Sequence, residues 1–311
     1  MALRLIGDLG GTNCRLALSE AGGAPEQLCS LRAADFPTLE EAVQHYLDEV
    51  KASPDEACLA VAGPVSETRF QMTNVDWQCD RLALQRQFGI QQLAFINDFE
   101  AIALSLPALQ DADLMTLGGS IDLSAPMAVL GPGTGLGAAL LIPCDGHFKA
   151  ISTEGGHTSL QAENEIEQQV FAYWREQGIP LSRESFLSGI GLYRLYQAIA
   201  HISHQPLRAN NGGDVSALAE AGDATACHAI AMFMGLLGSA AGDQALGSGA
   251  RGGIFLAGGI LPKLRQHLAN SDFRQRFENK APMAHYLHPI AVRLVLHDNP
   301  GLLGASQYTL P

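Results

Sequence analysis

Asp98 closes the short apolar run Leu93 to Ile96 and opens a helical segment that Pro107 stops. A carboxyl at that junction has two uses: it caps the helix, or it takes a proton from an attacking hydroxyl as a general base. Its neighbour Asn97 is expected to hydrogen-bond a hydroxylated ligand rather than to cap. Glu154 and His157 stand three apart, which on a helix would be a metal-pair spacing. Gly155-Gly156 between them argues instead for a loop that offers Glu and His side by side, as vicinal hydroxyls would require. An isolated loop Glu or His is more often simply solvated. Glu184 lies just after Ser182, in the first turn of an expected helix, where a carboxylate also favours the helix dipole.

Two glycine turns offer a different chemistry. Asp8-Leu9-Gly10-Gly11-Thr12 and Gly133-Thr134-Gly135-Leu136-Gly137 put small residues where the backbone bends sharply and exposes successive N–H groups. Such a nest holds phosphate oxygens, although each turn alone also reads as an ordinary hairpin. Two of them, each flanked by buried strands, point to a nucleotide. Gly133-x-Gly135-x-x-Ala138 partly matches the dinucleotide fingerprint, but only Leu136 to Ile142 follows before Pro143, too short for the crossover helix. No Gly-Lys-Ser/Thr occurs, so a Walker A loop is excluded. A hairpin-type phosphate loop remains.

The elements that position these residues are legible in outline. Residues 3–18 read as strand, glycine turn, strand, with a third strand from Gln27 to Leu31. Thr38-Leu39-Glu40-Glu41 is a capping box before apolar positions 39, 43, 47 and 50, which predicts a helix. Cys58 to Val61 and Leu93 to Ile96 are short buried strands. The pattern restarts with strands Met127 to Leu130 and Leu136 to Ile142. Helices are expected at Glu165–Gln177, Glu184–Ile202, Thr225–Leu246 and Leu261–Phe277, and strands at Gly253–Ala257 and Ala291–Leu296. The apolar face of the 225–246 helix reads as core. Pro300 suits the first position of a closing helix. The strand–glycine-turn–strand unit thus occurs twice, which suggests two similar lobes with a ligand between them and a boundary near Pro107 to Ser124.

Composition narrows the class. The 311 residues include 47 % hydrophobic and 16 % charged side chains, enough apolar material for globular cores. The formal charge of −13 repels nucleic acid and anionic membrane, so bound phosphate must be held by local amides or a metal. The six cysteines contain no C-x-x-C pair and read as reduced thiols of a cytosolic protein. The chain opens on a strand rather than a signal peptide, and its longest apolar run, Ile230 to Ala241, is short for a bilayer.

Seven segments together resemble the bacterial hexokinase-type glucokinase family within the actin-like ATPase superfamily. They are Gly7-Asp8-Leu9-Gly10-Gly11-Thr12-Asn13, Ile96-Asn97-Asp98-Phe99, Gly131 to Gly137, Glu154-Gly155-Gly156-His157, Leu187-Ser188-Gly189, Ala257-Gly258-Gly259-Ile260 and His297 to Gly304. They run in family order along essentially the whole chain. The resemblance implies an α/β, two-lobed actin-like (ribonuclease H-like) fold with an interlobe active-site cleft. Residues 1–108 with the closing helix 299–311 would form the smaller lobe, and 109–298 the larger. It also implies ATP-dependent phosphorylation of glucose at the 6-hydroxyl, the first step of glycolysis, by a cytoplasmic homodimer.

On that resemblance Asp98 is the general base, and Asn97, Asp98, Glu154, His157 and Glu184 bind the sugar. Gly7, Asp8, Leu9, Gly10, Gly11, Thr12, Gly133, Thr134, Gly135, Gly258 and Gly259 bind the nucleotide, the two threonines through their hydroxyls and the last two glycines by letting adenosine approach. Asp8 would hold Mg²⁺ through water; read alone, it is a turn aspartate bonded to its own backbone. Thr73-Asn74 lies in a plausible sugar-facing loop without an assigned role. The zinc loop of the related sugar-kinase and repressor group needs cysteines that this chain lacks after Cys144, save Cys227. A repressor on the same fold would need a helix-turn-helix and a basic face. A kinase for another hexose or an amino sugar is the alternative, because hydroxyl-binding residues do not announce their sugar.

Overall fold

A computed structural model describes residues 2–63, 69–71 and 77–310; Thr73-Asn74 and Pro64 lie outside the described residues. Two compact units emerge, 1–110 with 147–152 and 297–311, and 111–146 with 153–296.

The strands, in chain order, are β1 (Leu3–Leu9), β2 (Asn13–Glu20), β3 (Glu26–Arg32), β4 (Glu56–Val61), β5 (Arg69–Gln71), β6 (Gln78–Asp80), β7 (Gln92–Asn97), β8 (Leu114–Gly118), β9 (Met127–Pro132), β10 (Leu136–Cys144), β11 (His147–Thr153), β12 (Gly253–Leu256) and β13 (Val292–Val295). One sheet has the order β3-β2-β1-β4-β7, an antiparallel meander continued by parallel strands β1, β4 and β7. The other has the order β11-β10-β9-β12-β13-β8, with β9, β12 and β13 parallel, β10 antiparallel to β9, and β8 antiparallel to β13. Without β8, the two orders correspond strand for strand. β5 and β6 form a separate two-stranded sheet.

The near-continuous apolar runs of β4, β9 and β12 fit strands covered on both faces. In the first unit Leu5, Leu16 and Leu59 pack with Tyr46 of the helix Leu39–Val50, whose cap Thr38 accepts the Glu41 N–H at 3.2 Å. In the second, the core centres on the helix Ala224–Ser248. By length and composition that helix could cross a membrane, yet Phe233, Met234, Leu236, Leu237 and Ala240 along it are fully buried.

Several expectations need correction. The helix read from 184 to 202 is two helices, Arg183–Phe186 and Gly189–Ile202, because Ser188 accepts the Gly191 N–H at 3.1 Å and starts a new cap. The helix read from 261 to 277 likewise breaks into Arg265–Ala269 and Phe273–Glu278, with Ser271 accepting the Phe273 N–H. β11 was not expected at all; the turn before it, Asp145-Gly146, has φ of +46° and +83°, a hairpin signature. β8 runs inside the stretch read as a boundary, and the helix Gly212–Glu220, capped by Asn211, was also missed.

Candidate active site

In the first sheet the chemistry gathers at the C-terminal ends of parallel strands, where open α/β sheets bind ligands. The register sets Asp8 opposite Ala60 and Ala60 opposite Ile96, so Asp8 and Ile96 are level on either side of β4. Asn97 ends β7 and Asp98 begins the helix Asp98–Ser105. The expectation that Asn97 does not cap is wrong: its Oδ1 accepts the N–H groups of Phe99 (2.9 Å) and Glu100 (3.3 Å). Asparagine at the residue before a helix is among the strongest N-caps, and the extended backbone of Asn97 sets it up for that bond. The nearby Asn97 amide also favours the ionised form of the Asp98 carboxyl.

Burial dominates at Asp98 and pushes its pKa up to about 6, with the charge of Asp8 adding to the shift. The Phe99 N–H, 3.0 Å from Oδ1, and the Asn97 amide oppose it without cancelling it. Asp8 is also raised, first by burial, although 22 % of its side chain reaches solvent and Arg15 lies 3.2 Å from Oδ2. Sequence reasoning overlooked Arg15; pairing Leu9 with Cys14 across the turn places it opposite Asp8. Asp8 Oδ1 takes no hydrogen bond among the described residues, so one oxygen remains for a hydrated cation. A single carboxylate suits Mg²⁺, which keeps most of its water and takes its other ligands from phosphates.

The glycine turns behave alike. Gly10 N–H donates to Asn13 O at 2.9 Å, and Gly133 N–H to Gly135 O at 2.8 Å. Among the described residues, the N–H groups of Gly11 and Thr12, and of Thr134 and Gly135, have no acceptor. Each turn therefore presents two successive free donors beside an exposed threonine, a nest for anionic oxygen. Gly258, at φ +85°, lies so close to the Pro132 carbonyl that a Cβ would overlap it, whereas Gly259 faces open space. Gly7 and Leu9 are buried in β1 rather than placed in the turn.

The second unit brings Glu154, His157 and Glu184 together. Gly155–His157 form one 3₁₀ turn instead of the loop expected, and a Cβ on Gly156 would overlap the Leu136 carbonyl. His157 Nε2 is 3.7 Å from Glu154 Oε2, and its Nδ1 is 4.0 Å from Glu184 Oε1. Glu154 and His157 are 90 % and 60 % exposed, while Glu184 is half-buried and accepts the Leu136 N–H at 2.9 Å. Beneath them lies Arg183, which sequence reasoning passed over; it donates to Gln244 at 3.2 Å and faces Asp243 at 4.0 Å. Its signal was slight, a basic residue next to Glu184. Among the described residues no group of three or more His, Cys, Asp or Glu side chains is arranged to hold a metal.

Two sheets of one strand order, each with a glycine turn presenting free amides, define an actin-like ATPase fold, and its carboxylates and histidine suit a hydroxylated substrate. Comparison with known proteins narrows this. Residues 5–310 match the Glucokinase family model. A glucokinase of Chromobacterium violaceum is 40 % identical, covering 98 % of this chain and 88 % of its own; one of Colwellia psychrerythraea is 37 % identical, covering 98 % and 96 %. The crystal structure of a glucokinase from an Antarctic psychrotroph superposes with a TM-score of 0.91 at 36 % identity, covering 99 % of this chain and 98 % of that one. A hexokinase of the ROK family from Thermus thermophilus, at 18 % identity and TM-score 0.68, covers 98 % and 97 % and shares the fold. The chain belongs to the glucokinase family.

Proposed function

We propose that this chain transfers the γ-phosphoryl group of ATP to the 6-hydroxyl of glucose, with Asp98 as the general base. The observation that carries the reading is a carboxyl at the C-terminal end of β7 whose pKa is pushed up to about 6. Such a group is ionised at neutral pH yet basic enough to accept a proton from an attacking hydroxyl. Asn97 orients it: with Oδ1 committed to the cap, the amide end of Asn97 remains to meet Asp98 and a sugar oxygen. Glu154, His157 and Glu184 hold sugar hydroxyls, which their clustering within 4.0 Å of His157 supports.

The free amides of Gly11, Thr12, Thr134 and Gly135, with the two threonine hydroxyls, hold phosphate oxygens against the overall charge of −13. Gly259 leaves the end of β12 open to the nucleoside, while Gly258 lets the backbone pack against the Pro132 carbonyl beside it. When bound, Mg²⁺ would neutralise charge on the phosphates; Asp8 is the residue that would hold it through water. Phosphoryl transfer asks little covalent chemistry of the protein, so positioning and charge stabilisation carry the rate. The family resemblance supports assigning 1–108 with 299–311, and 109–298, as the two lobes, and a cytoplasmic homodimer.

Purified protein incubated with ATP, Mg²⁺ and glucose should release ADP and glucose 6-phosphate in equal amounts, with no ADP formed when glucose is omitted. ADP release without phosphorylated sugar would overturn the assignment.

A further inference from the structure

Leu136 opens β10 directly after the glycine turn, and its N–H is held by Glu184 Oε2 at 2.9 Å. At the other end of the turn, Gly133 O accepts the Gly189 N–H at 2.9 Å. Both anchors thus come from one short segment, residues 184–189. Ser188 Oγ ties them together by donating to Glu184 O at 2.8 Å. The fit is close: a Cβ on Gly135 would overlap Glu184 Oε2. The remaining carboxylate oxygen, Oε1, faces His157 Nδ1 at 4.0 Å.

We propose that Glu184 is a positioning residue for the phosphate-binding turn as well as a sugar ligand, so that nucleotide affinity depends on it even when no sugar is bound. This rests on the function proposed above. By taking the Leu136 N–H, the carboxylate leaves Thr134 and Gly135 as the free donors and fixes the direction in which they point. A hydrogen bond to an ionised acceptor is about twice as strong as a neutral one, and an amide oxygen in the same place retains part of it. A sugar hydroxyl that engages Glu184 acts on the same carboxylate that holds the turn, which couples the two substrates.

Calorimetric titration of the sugar-free protein with ADP tests this. Glu184→Ala should weaken ADP binding about tenfold, and Glu184→Gln by no more than about threefold. Both should raise the glucose KM. His157→Ala, which removes a sugar contact and touches no turn amide, should raise the glucose KM and leave ADP affinity unchanged. If Glu184→Ala fails to fold, Gly135→Ala carries the test: its Cβ displaces the carboxylate, and it should weaken ADP and raise the glucose KM together. ADP affinity within twofold of wild type in whichever of these two variants folds would overturn the inference. Glucose turnover by the wild-type enzyme is scored separately, so a failed kinase reading is not mistaken for a failed role of Glu184.

Discussion

Asp98 is held where its ionised form is disfavoured, and activity and stability respond in opposite directions. Its pKa rises from an ordinary 3.8 to about 6 on folding. A base must be deprotonated to act, so kcat should fall with decreasing pH below about 6, and a pH–rate profile without an acid limb there contradicts the role. The stability effect has the reverse sign. The folded state binds this proton more tightly than the unfolded chain, so stability present below about pH 4 is lost as pH rises through about 6, on the order of 1–3 kcal/mol. Asp98→Asn keeps an acceptor for the Phe99 N–H and removes the buried charge. It should lose ~10²–10⁴-fold in turnover while melting at a higher temperature than wild type at pH 7.5, the difference vanishing near pH 4. Near-wild-type kcat, or a lower Tm at pH 7.5, would count against the assignment.

At this scale residue type and adjacency marked Asp98, Glu154 and His157 as candidates, and the family resemblance gave them their expected roles. The capping role of Asn97 and the hold of Glu184 on the Leu136 N–H were not legible, because the first depends on hydrogen-bond direction and the second on a strand 48 residues away in sequence.

Helix packing fixes where these side chains sit. The helix Pro300–Gln307 lies against the helix Asp98–Ser105 so closely that a Cβ on Gly304 would overlap the Ala101 carbonyl, and its first turn brings Gly301 to Asp8. Arg4 anchors its far end, donating to the carbonyls of Ser306 (3.0 Å) and Tyr308 (2.7 Å) while paired with Glu56. Gly304→Ala should therefore destabilise by ~1–3 kcal/mol in urea unfolding and reduce turnover by shifting the helix that begins at Asp98. Gly247 is the contrasting case: it is exposed in the helix Ala224–Ser248, and an added Cβ would meet nothing within 4 Å. Gly247→Ala should stabilise by about 0.5–1 kcal/mol. Equal effects at the two sites would refute the packing argument.

In the second unit Arg276 joins helices through Glu167, at 2.6 Å and almost fully buried, and through Ser239 Oγ. Glu167→Ala removes the shorter, buried half of that pairing and leaves the guanidinium with Glu163, 3.1 Å from Nε, and should cost about 1–3 kcal/mol, measured by the same unfolding. Periodicity and caps predicted the long helices and central strands well. Edge strands such as β11 escaped because their half-exposed pattern carries little periodic signal, and the broken helices escaped because a serine cap interrupts an unbroken apolar pattern.

For the molecule as a whole, the duplicated strand–glycine-turn–strand pattern anticipated a duplicated topology, and the two sheets share one strand order. The sequence shows this because each glycine turn needs small residues, and so leaves a visible mark twice. What it does not show is which hydroxyls are recognised, since Glu and His accept or donate to any of them. A site that pairs with each hydroxyl strands a buried polar group when one moves, at roughly 1–3 kcal/mol. The most direct measurement is a coupled assay of phosphoryl transfer from ATP to glucose, galactose, mannose and N-acetylglucosamine, with the product position read by phosphorus NMR. Glucose should give the highest kcat/KM, with phosphate on the 6-oxygen, and galactose should fall at least about tenfold below it. No turnover of glucose, or a higher kcat/KM for any of the other three sugars, would contradict the account.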